Sequence, residues 1–328
     1  MGAHYLHQNR KTLLSLIVSA ILGAAGAADY PVQPVPFTAV RITGGFWQQR
    51  QETNRLVTVP YAFQQCESTK RLLNFDLAAE TMRRRAAGEN TFQNKPQSIY
   101  PFDDSDVFKA VEGASFALSI RKDPALDARL DTYIGKFATA QEPDGYLYTF
   151  RTMHPDSPAH EWIDQKRWLK DPILSHELYN LGHLYEAGVA HYQATGKRTL
   201  LDICLKSADL VHRDFGQGDL RIAPGHQVIE MGLAKLYRVT RDDRYLKLAK
   251  FFLDVRGPGE DPYNQRHLKV VDQTEAVGHA VRANYMYSGM ADVAALTGDQ
   301  RYLQAITRIW ENVVGRKLHI TGGVGARA

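Results

Sequence analysis

The chain has 328 residues, a formal net charge of +4 at pH 7 and two cysteines. A mature chain of about 300 residues is long enough for one large core. Two thiols do not make a disulfide framework, so we expect Cys66 and Cys204 to be buried apolar side chains. The small net charge gives no reason to expect binding to nucleic acid or to an anionic membrane.

The first 28 residues have the pattern of a secretory signal peptide. Arg10 and Lys11 precede an apolar run at 13–22, and small residues follow at 23–28. The run is too short to span a bilayer, and the small residues that follow it suit a cleavage site. We therefore expect a secreted or periplasmic protein. Its mature chain would carry a net charge of +2, because the leader holds two basic and no acidic residues.

An extended lead-in is predicted at 29–45, where prolines recur without a helical period, and the helical body is predicted from 46 onward. Asp104 and Asp106 stand at the start of a helix predicted over 107–120. Helix capping is the simplest interpretation of both carboxylates. The alternative places Asp106 in a sugar site at the mouth of the fold.

Three Gly-His pairs mark an internal repeat. Each is followed by an apolar helix, a turn that contains threonine, and a second helix; the pairs are Gly182-His183, Gly225-His226 and Gly278-His279. The turn threonines, Thr195, Thr240 and Thr297, are separated by 45 and 57 residues. Repeats of this length indicate stacked helical hairpins that bury their apolar faces against one another.

We predict an inner row made of the first helix of each hairpin and an outer row made of the second. The outer helices, predicted at 200–211, 245–254 and 302–313, should be amphipathic with their charged residues outward. If the hairpins stack in register, the Gly-His pairs lie on one rim. A helix start is predicted at Asp171-Pro172, which would place His176 and His183 two turns apart on one polar face. Together with His226 and His279 they favour a wall that faces a ligand.

Two carboxylate-histidine pairs have the spacing of metal ligands on a helix. His226 and Glu230 are four residues apart, and so are Glu275 and His279. Neither pair has further ligands nearby in the sequence. No metal site is therefore predicted from these residues.

Several segments carry a family resemblance in the same order. They read Ser-His-Glu-Leu-Tyr at 175–179, Gly-His-Leu at 182–184, Pro-Gly-His-Gln at 224–227, Ala-Val-Gly-His-Ala-Val-Arg-Ala at 276–283 and Ile-Thr-Gly-Gly at 320–323, with matches also at 104–107 and 144–147. In these segments the chain is similar to glycoside hydrolase family 127, the β-L-arabinofuranosidase-like enzymes. The resemblance extends from about residue 46 to residue 328.

The resemblance implies an all-α (α/α)6 barrel, incomplete within these residues, that binds a carbohydrate substrate. It implies that His176, His226 and His279 line the pocket for the terminal sugar. His183 and Asp106 are candidates from this sequence alone.

The resemblance also implies a retaining mechanism. Its nucleophile is a cysteine in a zinc-bound cluster of cysteines and a glutamate, and a second glutamate acts as acid and base. In the family all of these lie C-terminal to the segment that matches 320–323, and Cys66 and Cys204 do not match them. We therefore expect the zinc and the catalytic groups beyond Ala328, and no hydrolysis by the 328 residues alone.

Two alternatives remain open at the level of the sequence. The chain could belong to another (α/α)6 enzyme that acts on uronic-acid sugars, with His279 and Arg282 facing a carboxylate. It could instead be a non-catalytic helical-repeat protein that binds carbohydrate, or one whose histidine rim is only a polar surface.

Overall fold

The computed structural model describes residues 28–325, in which every regular element is helical. The predicted all-α class is confirmed. The signal-peptide prediction falls on residues that lie outside this range, apart from Ala28. Among the described helices, none combines the length and the apolar character needed to cross a bilayer.

The helices are numbered here in chain order. They are α1 (Gly45–Thr53), α2 (Val59–Ser68), α3 (Arg71–Ala86), α4 (Asp104–Ile120), α5 (Pro124–Ala140), α6 (Thr149–Met153), α7 (Glu177–Thr195), α8 (Thr199–Val211), α9 (Ile229–Thr240), α10 (Asp243–Asp254), α11 (Ala280–Thr297) and α12 (Gln300–Asn312). A π-helical stretch, Asn54–Thr58, joins α1 to α2, and similar stretches extend α8 and α12. The lead-in is irregular apart from the short 3-10 helix Phe37–Ala39.

Five helical hairpins are present in the described residues. Their first helices, α2, α4, α7, α9 and α11, pack side by side in that order, and each also packs against the second helix of its own hairpin. The outer helices α8, α10 and α12 bury one apolar face and begin one or two residues earlier than predicted. The predicted inner and outer rows are therefore present.

The turn threonines form the repeated device that ends each inner helix. The hydroxyls of Thr195, Thr240 and Thr297 donate to the carbonyl four residues earlier at 2.6–2.7 Å. Each hydroxyl also accepts from the backbone N–H two residues later at 3.1–3.2 Å. The residue after each threonine is left-handed, which ends the helix. The repeat read from these threonines is confirmed.

Gly182-His183 does not open a helix, so this part of the repeat prediction is wrong. The helix α7 begins at Glu177, and Gly182 lies in its second turn where α7 meets α9. A Cβ at Gly182 would lie 2.7 Å from the backbone nitrogen of Ile229 and closer still to a methyl group of Val228. The glycine is required because the two inner helices approach each other so closely.

The helix start predicted at Asp171-Pro172 is also wrong. Residues 171–174 form a turn, and His176 is the N-cap of α7. The Asp171 carboxylate still caps the N-terminal end of α7, because its Oδ1 accepts from the free backbone N–H of Leu178 at 2.9 Å. The capping signal in the sequence was real, but it acts across a loop and not at the helix boundary.

Candidate functional site

Three histidines lie at the N-terminal ends of neighbouring inner helices. His176 is the N-cap of α7, His226 precedes α9 by three residues, and His279 is the N-cap of α11. The ring centroids of His176 and His226 are 5.8 Å apart, and those of His226 and His279 are 6.2 Å apart. These three side chains are called the histidine cluster below.

His176 is held in an unusual backbone conformation. Its φ of 62° lies in the left-handed region, which costs a non-glycine residue on the order of 1–3 kcal/mol unless packing imposes it. The rings of Phe102 and Trp162 lie 5.1 and 6.3 Å from the imidazole, and Nδ1 bonds to the carbonyl of Leu174. This packing holds the imidazole beside His226, with the two ring centroids 5.8 Å apart.

His226 is positioned by contacts from two other hairpins. The backbone N–H of Gly225 donates to the carbonyl of Asp171 at 3.0 Å, and a Cβ at Gly225 would meet that carbonyl. From α11, Nη1 of Arg282 donates to the Gly225 carbonyl at 2.9 Å. The loop that carries His226 is therefore fixed only when three hairpins are stacked.

His279 is positioned by the long loop between α10 and α11. Its backbone N–H donates to the carbonyl of Tyr263 at 2.8 Å, and the side-chain amide of Gln265 donates to its carbonyl at 3.3 Å. Gly278 has a φ of +74°, and a Cβ there would lie 2.8 Å from the carbonyl carbon of Tyr263. The loop therefore passes too close to Gly278 to admit a side chain.

Two tyrosines complete the wall, and His183 lies deeper. The ring of Tyr179 is 4.4 Å from His226, and the ring of Tyr285 is 5.8 Å from it. His183 lies 4.7 Å from Tyr179 and 5.7 Å from Tyr285, with Nε2 buried and without a hydrogen-bond partner among the described residues. The sequence reasoning gave no role to Tyr285. Its position three residues after Arg282 on a helical face was the signal that could have found it.

Asp106 lies beside the histidine cluster and not within it. Its carboxylate accepts from Nε of Arg71 at 2.8 Å and lies 3.6 Å from Nζ of Lys109. Lys109 in turn donates to the Tyr179 hydroxyl at 2.8 Å, which connects Asp106 to the wall through one residue. Asp104 is buried and accepts from both the N–H and the hydroxyl of Thr149. Burial raises the pKa of Asp104 to about 7, and its role is to tie α4 to α6.

The histidines are uncharged at neutral pH. Burial lowers the pKa of His176 to about 4, of His226 to about 3 and of His183 to about 2. Burial also lowers the pKa of His279. The positive charge of Arg282 adds to the effect on the three histidines of the cluster. The wall therefore presents neutral imidazoles.

Hydrogen bonds made by Nδ1 determine what each ring offers at Nε2. His176 and His226 each donate from Nδ1 to a backbone carbonyl, Leu174 and Gln227 respectively, which leaves Nε2 as an acceptor. In His279, Nδ1 accepts from the backbone N–H of Arg282, which assigns the proton to Nε2 as a donor. Two acceptors and one donor, all uncharged, match the hydroxyl groups of a neutral sugar.

The helical spacing assumed for the two metal-ligand pairs is wrong. His226 lies before the start of α9 and Glu275 lies before the start of α11, so neither pair shares a helix face. Glu230 is fully buried, accepts from the N–H of Val228 and lies 3.7 Å from Arg256. Glu275 is exposed and lies 3.6 Å from Lys317.

The two cysteines do not fit the zinc-bound cluster implied by the family resemblance. Cys66 on α2 and Cys204 on α8 are both free and buried, as predicted. Burial raises the pKa of Cys66 to about 11 and that of Cys204 further, and the Cys204 thiol donates to the carbonyl of Leu184. A zinc ligand or nucleophile needs a thiolate and hence a lowered pKa.

Comparison with known proteins gives a consistent result. The family model described as the β-L-arabinofuranosidase, GH127 catalytic domain, matches residues 39–328. A non-reducing end β-L-arabinofuranosidase from Bifidobacterium longum subsp. longum is 34% identical, over 88% of this chain and 48% of its own length. The chain thus spans about half the length of the curated relative that it matches.

Solved structures confirm the predicted fold. A GH127 β-arabinofuranosidase has a TM-score of 0.84 and 51% identity, over 91% of this chain and 46% of its own. A GH127 β-L-arabinofuranosidase from Geobacillus stearothermophilus T6 has a TM-score of 0.77 and 37% identity, over 88% of this chain and 47% of its own. The (α/α)6 barrel-like architecture is shared with these proteins.

Proposed function

The chain belongs to the GH127 β-L-arabinofuranosidase family, and from that premise we propose that it forms the sugar-binding part of a glycoside hydrolase that removes terminal β-L-arabinofuranosyl residues, for example from plant-type glycans. The observation that supports this proposal is the histidine cluster. Three uncharged imidazoles meet at the N-terminal ends of adjacent inner helices, where backbone N–H groups and helix dipoles also favour oxygen ligands.

Each side chain of the cluster has a proposed task. Nε2 of His176 and of His226 accepts a hydrogen bond from a sugar hydroxyl, and Nε2–H of His279 donates one. The rings of Tyr179 and Tyr285 bound the space that the sugar occupies. The ring of His183 packs edge-on against Tyr179 and holds it in place. Asp106 positions Lys109, which donates to the hydroxyl of the same tyrosine.

The charge of the site favours a neutral sugar over a uronic acid. Arg282 and Lys109 lie near the cluster, but both already have partners. Nη1 of Arg282 donates to the Gly225 carbonyl, with the guanidinium over the ring of Tyr263, and Lys109 donates to the Tyr179 hydroxyl and lies 3.6 Å from Asp106. Because the histidines are neutral, a sugar carboxylate would find no imidazolium there. The uronic-acid alternative therefore has less support.

We assign no catalytic step to the described residues. A retaining glycosidase needs a nucleophile and a general acid on the two sides of the scissile bond. The zinc-bound cysteine and the glutamate of the family mechanism are proposed to come from sequence beyond Ala328. Secretion or export to the periplasm is likewise proposed on the basis of residues 1–28.

Binding of the sugar tests the site directly. Methyl β-L-arabinofuranoside should bind to the 328-residue chain in an isothermal titration, and His226→Ala should weaken binding by about 1–3 kcal/mol through lost hydrogen bonds. His154→Ala is the matched control, because His154 is bonded within its own loop, outside the cluster. Equal affinities of the wild type and His226→Ala would contradict the site, and tighter binding of a methyl uronide would favour the alternative enzyme class.

Hydrolysis separates the site from the complete enzyme. The 328-residue chain should not cleave an aryl β-L-arabinofuranoside, with or without added zinc. A chain extended to the length of the relatives should cleave it, with an activity that falls in His279→Ala. Similar turnover by both chains would mean that the catalytic groups lie within residues 29–328, and Asp104, Asp106, Glu230 and Glu275 would then be tested individually.

A further inference from the structure

A second polar cluster lies toward the C-terminal end of α7, where His191 comes close to two aspartates of α5. Asp127 and Asp131 are one turn apart on α5, and His191 is close to the C-terminal end of α7. One potential ligand atom from each of the three side chains lies within 4.8 Å of the others. His191 and His176 are 15 residues apart, or roughly 22 Å along a helix, so this cluster is separate from the histidine cluster.

His191 is the part of this cluster that the fold does not explain. Its side chain has no exposed surface, and neither ring nitrogen has a hydrogen-bond partner in the described part of the chain. A buried polar group without a partner loses its hydration and gains nothing in return. Burial, followed by the charge of Lys197, lowers the pKa of His191, which keeps the ring in the neutral form that binds metal ions.

Lys197 accounts for the two carboxylates but not for the imidazole. Its Nζ lies 2.7 Å from Oδ1 of Asp127 and 2.7 Å from Oδ2 of Asp131. The ammonium therefore occupies a position suited to a cation, yet it makes no hydrogen bond to His191, whose ring nitrogens have no partner among residues 28–325. The lysine side chain is 34% exposed and follows the end of α7, so it can move into solvent if another cation arrives.

We propose that Asp127, Asp131 and His191 bind a divalent transition-metal ion of the zinc type, which takes the place of the Lys197 ammonium. One imidazole and two carboxylates form a ligand set that zinc accepts, with water able to complete the coordination. Tetrahedral bonds of about 2.0–2.1 Å place ligand atoms roughly 3.3 Å apart. The ligand atoms, which lie within 4.8 Å of one another, need to approach by at most about 1.5 Å, which rotation of the partly exposed aspartates can provide.

The ion can reach this site from solvent, and its binding would connect two hairpins. A depression of about 270 Å³ borders Asp127, Thr195 and Lys197, so the carboxylates can be reached from solvent. A bound ion would link α5, the outer helix of one hairpin, to α7, the inner helix of the next. This link would stabilise the folded chain in proportion to the concentration of free ion.

The test uses the 328-residue chain, stripped with a chelator and titrated with ZnCl₂ by calorimetry and thermal unfolding. One equivalent of zinc should bind and raise the melting temperature. Asp131→Asn should lower the affinity for this zinc ion by at least about tenfold, because a direct ligand is lost. Asp202→Asn is the control, because Asp202 is an exposed aspartate on α8 paired with Arg198.

Further variants distinguish this site from zinc binding elsewhere on the chain. Lys197→Met should bind zinc more tightly, because the competing ammonium is removed. His226→Ala should still bind one equivalent of zinc. CaCl₂ should not bind at this site in place of zinc, because calcium selects oxygen ligands. The proposal is overturned if Asp131→Asn binds as the wild type does, if the equivalent disappears in His226→Ala, if calcium binds equally well, or if Lys197→Met binds no more tightly. If Asp131→Asn does not fold, His191→Gln is measured in its place with the same expectation.

Discussion

The close contact between α7 and α9 can be tested by a single methyl group. Gly182 lies within α7 with ordinary helical angles, so replacement by alanine would normally stabilise the helix by about 1 kcal/mol. At this position, however, the new Cβ would lie 2.7 Å from the backbone nitrogen of Ile229 and 2.8 Å from the carbonyl carbon of Val228. Both are backbone atoms, which cannot rotate away from the clash.

The expected change in stability follows from these two effects. Overpacking at a rigid contact costs about 1–3 kcal/mol, and the approach here is short enough to favour the upper part of that range. After the gain in helix propensity is subtracted, Gly182→Ala should lower the free energy of unfolding by about 2 kcal/mol. The displaced residues, 228 and 229, follow His226 closely, so sugar affinity should fall as well.

Urea unfolding followed by circular dichroism measures the first effect. Gly135→Ala on α5 is the matched control, because its Cβ would meet nothing within 4 Å in the described part of the chain. That variant should gain about 0.5–1 kcal/mol in free energy of unfolding, and the slope of this free energy against urea concentration should be unchanged. If Gly182→Ala gained stability as Gly135→Ala does, the close contact between α7 and α9 would be refuted.

Three further predictions concern groups outside this contact. Burial, and then repulsion by Glu186, raises the pKa of Glu112 to about 7; the stability of the wild type relative to Glu112→Gln should therefore fall as the pH rises from about 4.5 to 7, and thermal unfolding of both proteins across that range measures this difference. Cys66 and Cys204 should react with a disulfide reagent at pH 8 only after unfolding, and rapid modification of both thiols in the native chain would contradict their burial. Gly278→Ala should abolish binding of methyl β-L-arabinofuranoside in calorimetry, because neither the positive φ nor the approach of the preceding loop admits a side chain; retained affinity would argue against this placement of His279.

The features that the sequence predicted well are local ones. A threonine followed by a left-handed residue ends an inner helix at Thr195, Thr240 and Thr297, and every hydrogen bond involved lies within five residues. Such a signal depends on the chain's own neighbours and survives in any tertiary context. The amphipathic pattern of the outer helices is similarly local, because it needs only one apolar side to pack against.

The failed predictions involve residues whose role is set by another hairpin. Gly182 precedes a histidine, as do the glycines at 225 and 278. It lies where two helices are in close contact, whereas the other two lie where a neighbouring loop approaches the backbone. The spacing of His226 and Glu230 suggested a helix face, but the helix begins only at Ile229. Neither outcome can be predicted from sequence spacing, since both depend on how far each helix extends toward the mouth of the barrel.

The same dependence on neighbouring hairpins couples folding to the proposed site. His226 is positioned by Asp171 from the preceding hairpin and by Arg282 from the following one, and His279 is positioned by the loop that holds Tyr263. No hairpin alone therefore presents an imidazole in the orientation described. Sugar binding and the stacking of hairpins should consequently be lost together on denaturation, because separating any one hairpin removes a backbone contact that orients the histidine of its neighbour.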